Sequence, residues 1–380
     1  MQTCIDGEWT PCTGPEPSAE ACNGTDDDCD GETDETCCAE SGWEVTELAP
    51  IGGWPSIATD VHGGIHLTFV ASPVPDVRYG FRGIEGDWTF EAVAAPAAGA
   101  KDTRVAVTAS GVHVAYVTGD PWELRHAYSE ANGDWTDTLV DRDLDYYATS
   151  IAIDSSGDVH LSYTVIYDPD RGEILRYARG RPEGPWEAET VDMREDDGWI
   201  PSSSIGVDNA GRLFIAYAYN SIAVEEGTVL LASREPGASW TTEEVEGPWS
   251  LVTGCAMAID GSGGQHISYS VETDSLSELR YAFRESAPDP WTFELAGGES
   301  VQSVEIDRFE AVHMAAVRNE QIVEHLARRG DVWVSGQAST PAFGEIGGSA
   351  SMALDPFGGV HIVYDRILQS LYYAYSCPAR

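Results

Sequence analysis

Lysine is almost missing from this chain of 380 residues: Lys101 is the single one, and the other basic residues are arginine. Against 64 acidic residues the 21 basic ones leave a formal charge of −43. Such a surface repels nucleic-acid phosphates and anionic lipid and attracts cations, which excludes a nucleic-acid partner. Long apolar runs are missing too. None approaches the roughly 18 residues that a spanning helix needs, so no membrane insertion is expected. No basic stretch followed by an apolar one precedes Cys4, so the mark of a secretory leader is also lacking. The first 38 residues contain almost no aliphatic side chains and no histidine. They cannot build a core of their own, so disulfides or a metal must order them.

Cysteine is present where aliphatics are not. Six of the eight cysteines (Cys4, Cys12, Cys22, Cys29, Cys37 and Cys38) fall in this short stretch, with Cys255 and Cys377 far downstream. An even count in a core-poor segment argues for disulfides and an oxidising compartment, either extracellular or on a bacterial cell surface. Met1 is then expected to open an excised piece of a longer exported protein. Residues 1–38 form a separate module, in which Cys4 to Cys12 reads as a small closed loop around Trp9. Beyond it Asp26, Asp28 and Asp30 alternate before Gly31, with Asp34 following. Alternate carboxylates before a glycine turn can wrap a calcium ion, and Glu32 or Glu35 can stand in for the missing final glutamate. The alternative is an acidic disulfide-bonded linker that holds no ion. This stretch resembles the cysteine-rich metal-binding motif found, often in several copies, in bacterial surface proteins. The likeness rests on Cys22-Asn23-Gly24, Asp26 to Asp28, Cys29-Asp30-Gly31 and Asp34-Glu35. It implies a bound metal, and the lack of histidine turns the expectation from copper to calcium.

Residues 39–380 are built from a repeat. Its first run reads TSIAID at Thr149–Asp154 and recurs as PSIATD, RVAVTA, SSIGVD, CAMAID, QSVEID and ASMALD. A second run (VHLSYT and its relatives), a third (LRYARG, LRYAFR) and a fourth carrying a tryptophan follow each time. The runs are short, β-branched and aromatic, with Gly, Asp and Pro between them, so they are strands. Asp154-Ser155-Ser156-Gly157 reads as a tight turn capped by the Asp side chain, with Gly at positive φ. Seven four-stranded units of about 44–54 residues predict an all-β, seven-bladed β-propeller. The last unit stops after LYYAYS, and GWEVTEL (Gly42 to Leu48) supplies its fourth strand from the other end of the domain. Cys377 then falls beside Cys37 and Cys38, and a disulfide across that seam is expected to contribute about 4–5 kcal/mol. Cys255 reads as a buried free thiol. The blade pattern resembles the bacterial sialidase-like, BNR-type propeller repeats, which implies architecture and leaves activity open.

Residues that recur in every blade are scaffold rather than site. His66, His113, His160, His266, His313 and His361 occupy one position, as do Arg78, Arg125, Arg176 and Arg280, and so do the seven blade tryptophans. A catalytic histidine or an anion-binding arginine set would interrupt the pattern instead. The interruptions gather in the loops on one rim, at Trp54, Trp122, Tyr146, Tyr147, Tyr167, Trp199 and Trp249. Carboxylates crowd beside them, among them Asp76, Asp120, Asp143, Asp145, Asp168, Asp170, Asp196, Asp197, Glu225, Glu226, Asp274 and Glu278. Aromatic faces with carboxylates suit sugars, and they also suit cationic peptides or calcium. Blade six departs further, with Glu305 in place of a small residue, Ala316 in place of tyrosine and Glu324-His325 in place of Arg-Tyr. The resulting expectation is a secreted or cell-surface binding protein whose rim takes a carbohydrate or a protein partner. The alternative is a polysaccharide-active hydrolase or lyase with a non-repeated site in the central funnel.

Overall fold

The computed structural model describes residues 42–376, apart from positions 85, 97–98, 120–121, 131–132, 143–144, 169–171, 194–197, 274–275, 340–345 and 367–369. For residues 49–51, 145–148, 167–168, 172 and 347–348 it describes the backbone alone. Before residue 42 only a two-strand hairpin is described, Cys4–Ile5 paired with Glu8–Trp9. The expected calcium set Asp26, Asp28, Asp30, Glu32 and Asp34 lies outside the described residues. So do Cys12, Cys22, Cys29, Cys37, Cys38 and Cys377, and with them the seam disulfide.

From residue 44 onward the strands form seven antiparallel four-stranded blades. Blades two to six span 100–142, 145–193, 203–249, 251–295 and 300–337. Blades seven and one share a single long strand, Glu44–Thr59. Its first half pairs with Ser370–Ser376, from Tyr375 opposite Glu44 to Leu371 opposite Leu48. Its second half is the inner strand of blade one and pairs with Ile65–Ala71. The ring is therefore closed by the strand expected from the sequence, which leaves no open edge between the first and last blades. Gly52 marks the crossing point. A Cβ there would come within 2.6 Å of the Phe69 ring and of the Val70 carbonyl.

Second strands such as Gly111–Thr118 and Leu213–Ser221 are buried along their whole length, because each is covered on both faces. Seven hydrophobic clusters result, one for each junction between neighbouring blades. The recurrent polar residues thread through these junctions. In blade three, Asp154 Oδ1 accepts the main-chain N–H groups of Ser156 and Asp158 at 2.9 Å, and Gly157 takes φ 82°. The other oxygen, Oδ2, lies 3.2 Å from His160 Nε2, and His160 Nδ1 lies 2.7 Å from the Tyr177 hydroxyl. The Tyr177 ring meets Trp240 of blade four edge-on, with centroids 5.3 Å apart. The same chain recurs from His66 through Tyr79 to Trp135, from His266 through Tyr281 to Trp333, and from His361 through Tyr373 to Trp88. In blades two and six a second histidine replaces the tyrosine, and His126 and His325 pack on Trp186 and on Trp43 of the closing strand.

The arginines are structural as well. Arg176 faces Asp141 of blade two at 3.4 Å and Arg280 faces Glu246 of blade four at 2.9 Å. Second-strand tyrosines reach the same carboxylates: Tyr163 donates to Asp141 at 2.7 Å, and Tyr217 donates to Asp192 at 2.6 Å. Where that outer-strand carboxylate is Ala49 or Gly297, the following blade carries Phe69 or Ala316 instead. The match is not general, since Tyr116 and Tyr364 are kept where that position is Ala94 or Ser339. Glu324 is compensated by Arg318 at 2.9 Å. Cys255 is a buried free thiol whose pKa burial pushes up to about 12.

Burial holds the histidines neutral: it lowers His113 to about 4, and His126 and His325 to about 3. If the closing strand carries the load its position indicates, buried Leu48→Ala should cost about 2–5 kcal/mol. Exposed Glu44→Ala should stay within about 0.5 kcal/mol. Denaturant unfolding followed by tryptophan fluorescence measures both, and equal costs would mean that the seam does not hold the ring.

Candidate functional site

The strands of each blade alternate in direction, so approaches to inner strands, links between second and third strands and ends of outer strands share one rim. Trp54, Trp122, Trp199 and Trp249 all lie there. Tyr146, Tyr147 and Tyr167 do too, but in strand ends rather than loops. Blade three extends its inner pair to Asp145–Ile153 and Val159–Asp168, with Tyr146 opposite Val165 and Tyr147 opposite Thr164. The side chains of these three tyrosines are outside the described residues. Glu305, the acidic departure of blade six, stands at the other end of its strand from this rim. It pairs with His313 two residues before the Asp307 turn, because register carries that position toward the turn side of the ring. Burial alone raises its carboxyl to about 7.

The four described tryptophans divide into two kinds. Trp122 packs on the core between blades two and three, with the Lys101 ammonium 3.5 Å above its ring. Trp249 packs on the core between blades four and five beneath the Arg280 guanidinium, 4.7 Å away. These two fasten the rim down. Trp54 and Trp199 instead present their rings to solvent, 49% and 36% exposed. Trp54 sits in the inner-strand bulge of blade one at φ 51°, a left-handed conformation that costs a non-glycine residue about 1 kcal/mol or more. Its carbonyl is held there by the Thr103 hydroxyl at 2.8 Å. Trp199 is strapped on both sides. Its N–H donates to the Asn220 carbonyl at 2.9 Å and its carbonyl accepts the Asn220 N–H at 3.0 Å. The next residue, Ile200, donates its N–H to Glu173 Oε2 at 2.6 Å.

Two acids on this rim were not singled out from the sequence. Glu173 lies at the start of the third strand of blade three, opposite Ile166, and burial raises its carboxyl to about 7 against the lowering effect of the Ile200 N–H. Asp365 is buried at the end of the second strand of blade seven, with Ser349 Oγ donating to it at 2.9 Å, and burial raises its pKa as well. The signal for Asp365 was present in the repeat: its column otherwise reads Val70, Val117, Thr164, Ala218, Ser270 and Val317. The signal for Glu173 was not, because carboxylates are common along this rim and only the fold shows which one is desolvated. Most described arginines of this rim are committed; Arg142 is exposed at the end of blade two's outer strand, and Arg366 is buried beside Tyr364 and Tyr372. Arg78, Arg104, Arg125, Arg176, Arg280 and Arg318 each face a carboxylate at 2.5–3.5 Å. Among the described residues no group of three His, Cys, Asp or Glu side chains is placed to hold a metal.

No family model matches the chain, and no curated protein matches it. Solved structures do. An ulvan lyase, described as a new family of polysaccharide lyase bound to -[GlcA(1-4)Rha3S]-, is similar at a TM-score of 0.61 and 11% identity, over 87% of this chain and 95% of its own. A Hadza microbial sialidase is similar at 0.54 and 10%, over 83% and 77%. The Aleuria aurantia lectin in complex with Fucalpha1-6GlcNAc is similar at 0.51 and 12%, over 78% and 98%. At these identities the likeness establishes the propeller fold and nothing finer.

Glu173 gives the rim a pH signature. Its folded pKa lies above its unfolded value, so its contribution to stability is complete below about 4.5 and is lost as pH rises through about 7. Glu173→Gln keeps an acceptor for the Ile200 N–H and removes the charge. Its melting temperature should equal that of the parent at pH 4.5 and exceed it at pH 8.5. A parent that is more stable at the higher pH would contradict the assignment.

Proposed function

We propose that this protein is a non-catalytic carbohydrate-binding propeller of the cell exterior, whose rim stacks uncharged sugar rings on Trp54 and Trp199. The observation that carries the reading is the pair of solvent-facing indoles, each held by main-chain hydrogen bonds at a position outside the blade pattern. Holding the backbone in place lowers the ordering cost that a ligand would otherwise meet. Sugar C–H faces stack on such rings while carboxylates accept their hydroxyl protons. The ligand is uncharged because six rim arginines already face carboxylates and the chain carries −43 overall. Lectins, a sialidase and polysaccharide lyases share the fold, which supports the carbohydrate class. The committed arginines speak against the anionic members of that class.

One observation favours an enzyme. A half-buried carboxyl at about 7, such as that of Glu173, is suited to donate a proton near neutral pH. Oligosaccharide cleavage abolished by Glu173→Gln would replace the binding reading with that one.

The acidic module is proposed to be calcium-stabilised and disulfide-bonded, since its donor set of five carboxylates, Asp26, Asp28, Asp30, Glu32 and Asp34, suits a hard cation. Its place in a longer exported protein belongs to the same proposal.

A glycan array that includes neutral and polyuronate or sulfated polymers tests the rim. Neutral glycans should bind, and Trp54→Ala or Trp199→Ala should each weaken binding about tenfold or more. Binding to no glycan at all would turn the reading toward a protein partner. Calorimetric titration of the chain with calcium, before and after chelation, tests the module.

A further inference from the structure

On the turn side of the ring, three junctions between blades are closed by the same three side chains. Between blades three and four, Arg234 pairs with Glu189, and its guanidinium lies 4.6 Å over Trp240 and 4.7 Å over Tyr177. Trp240 Nε1 donates to the same Glu189 at 3.1 Å. Between blades five and six, Arg328 binds Glu294 at 2.6 and 2.9 Å, and Trp333 Nε1 donates to Glu294 at 3.0 Å. Between blades four and five, Arg284 pairs with Glu243 and lies 4.3 Å over Trp291. The glutamate always stands three residues after the preceding blade's tryptophan, and the arginine pairs with the first residue of the following blade's H-x-x-Y strand.

Both columns can be followed around the ring. Where the glutamate is lost at Thr138 and Gly336 the arginine is lost too, at Gly180 and Ser376, whereas between blades seven and one Arg82 is kept although the glutamate position is Thr46, and it lies 5.6 Å over Tyr373. Between blades one and two the match fails the other way. Glu91 is present, Trp135 Nε1 donates to it at 2.8 Å, and Tyr79 meets Trp135 at the usual 5.3 Å. The arginine position is Ser129, opposite Val112 in the register that sets Arg234 opposite Leu213. Blade two also lacks the Asp turn and closes with a short hairpin at Thr108–Gly111. At this junction lies a cavity of about 890 Å³ with Tyr79, Phe81, Glu91, Ser129 and Trp135 in its wall. Its acids are Asp60, Glu91, Glu130 and Asp134, and no arginine or lysine is among its described lining residues.

We propose that this crevice is a receptor for an arginine guanidinium presented by a peptide or protein, seated over Trp135 and paired to Glu91. Arg234 shows within the same molecule the geometry that the ligand adopts, Arg284 its stacking and pairing, and Arg328 its pairing to a glutamate that also accepts the indole N–H. A planar guanidinium satisfies the fork of a carboxylate and the face of an indole together, which an ammonium does less well. The strongly negative chain draws such a ligand in. This crevice lies on the turn side of the ring, away from Trp54 and Trp199.

Calorimetry or Trp135-sensitive fluorescence at physiological salt tests it, with N-acetyl-arginine amide, its citrulline counterpart and an arginine-containing pentapeptide as probes. Saturable binding of the arginine probes is expected, at least about tenfold tighter than citrulline. Glu91→Gln should weaken it by a similar factor. Ser129→Arg should abolish it and raise the melting temperature, because it supplies the tethered arginine of the other junctions. Binding of the pentapeptide alone, lost in Ser129→Arg, assigns the site to a longer partner chain. Binding that survives both substitutions is diffuse attraction to the acidic surface and overturns the proposal, as does equal binding of citrulline or no binding by any probe. Glu91→Gln keeps the test decisive if Ser129→Arg does not fold.

Discussion

From the Asp turn of one blade to the indole of the next runs a connected contact of carboxylate, imidazole, phenol and ring face, and the stacking of the blades depends on it. Its centre is a histidine that must stay neutral: Nδ1 accepts the tyrosine hydroxyl while Nε2–H points to the aspartate. Burial works against the proton more strongly than the nearby carboxylate works for it, so His160 lies below its ordinary pKa despite Asp154. The turn, the two central strands and the neighbouring blade are thereby held in one relative position. Protonating several such histidines would cost stability as pH falls below about 6.5, the range over which their folded and unfolded values diverge.

This dependence explains which parts of the protein are legible in the sequence. Blade number, the four-strand unit and the closing strand at Gly42 to Leu48 are written in repeated hydrogen-bonding residues, and repetition makes each one self-checking. The assignment of His160, Arg176 and Trp186 to scaffold follows from the same logic, and their contacts with Asp154, Asp141 and Thr138 show why. The site was less legible. Trp122 and Trp249 look like Trp54 and Trp199 in sequence, yet cations cover the first pair and leave the second in the open. Whether an aromatic outside the pattern is a fastener or a platform depends on what folds over it, and single-chain periodicity carries no record of that. Glu305 shows another limit: a departure from the repeat can be identified without its side of the ring being known.

Departures also differ in kind. Glu324 answers Arg318, so part of the apparent irregularity of blade six is a paired change. A paired change preserves a junction. An unpaired one, such as Glu91 facing Ser129, leaves a carboxylate that meets the Trp135 N–H but no arginine of the chain. In a protein built from near-copies of one unit, the copies act as internal controls for one another. They distinguish drift that has been repaired from a position where something external can be accommodated.

The long strand Glu44–Thr59 also orders events in time. Its first residues emerge early in synthesis, yet their partners, Leu371 to Tyr375, are among the last to be made. Over some three hundred intervening residues the cost of loop closure is already large, and contacts of such sequence separation form slowly. Blade one can assemble on the second half of the strand while the first half waits, an unpaired edge that can be lost to a wrong partner. The ring cannot lock until the whole propeller chain has been made.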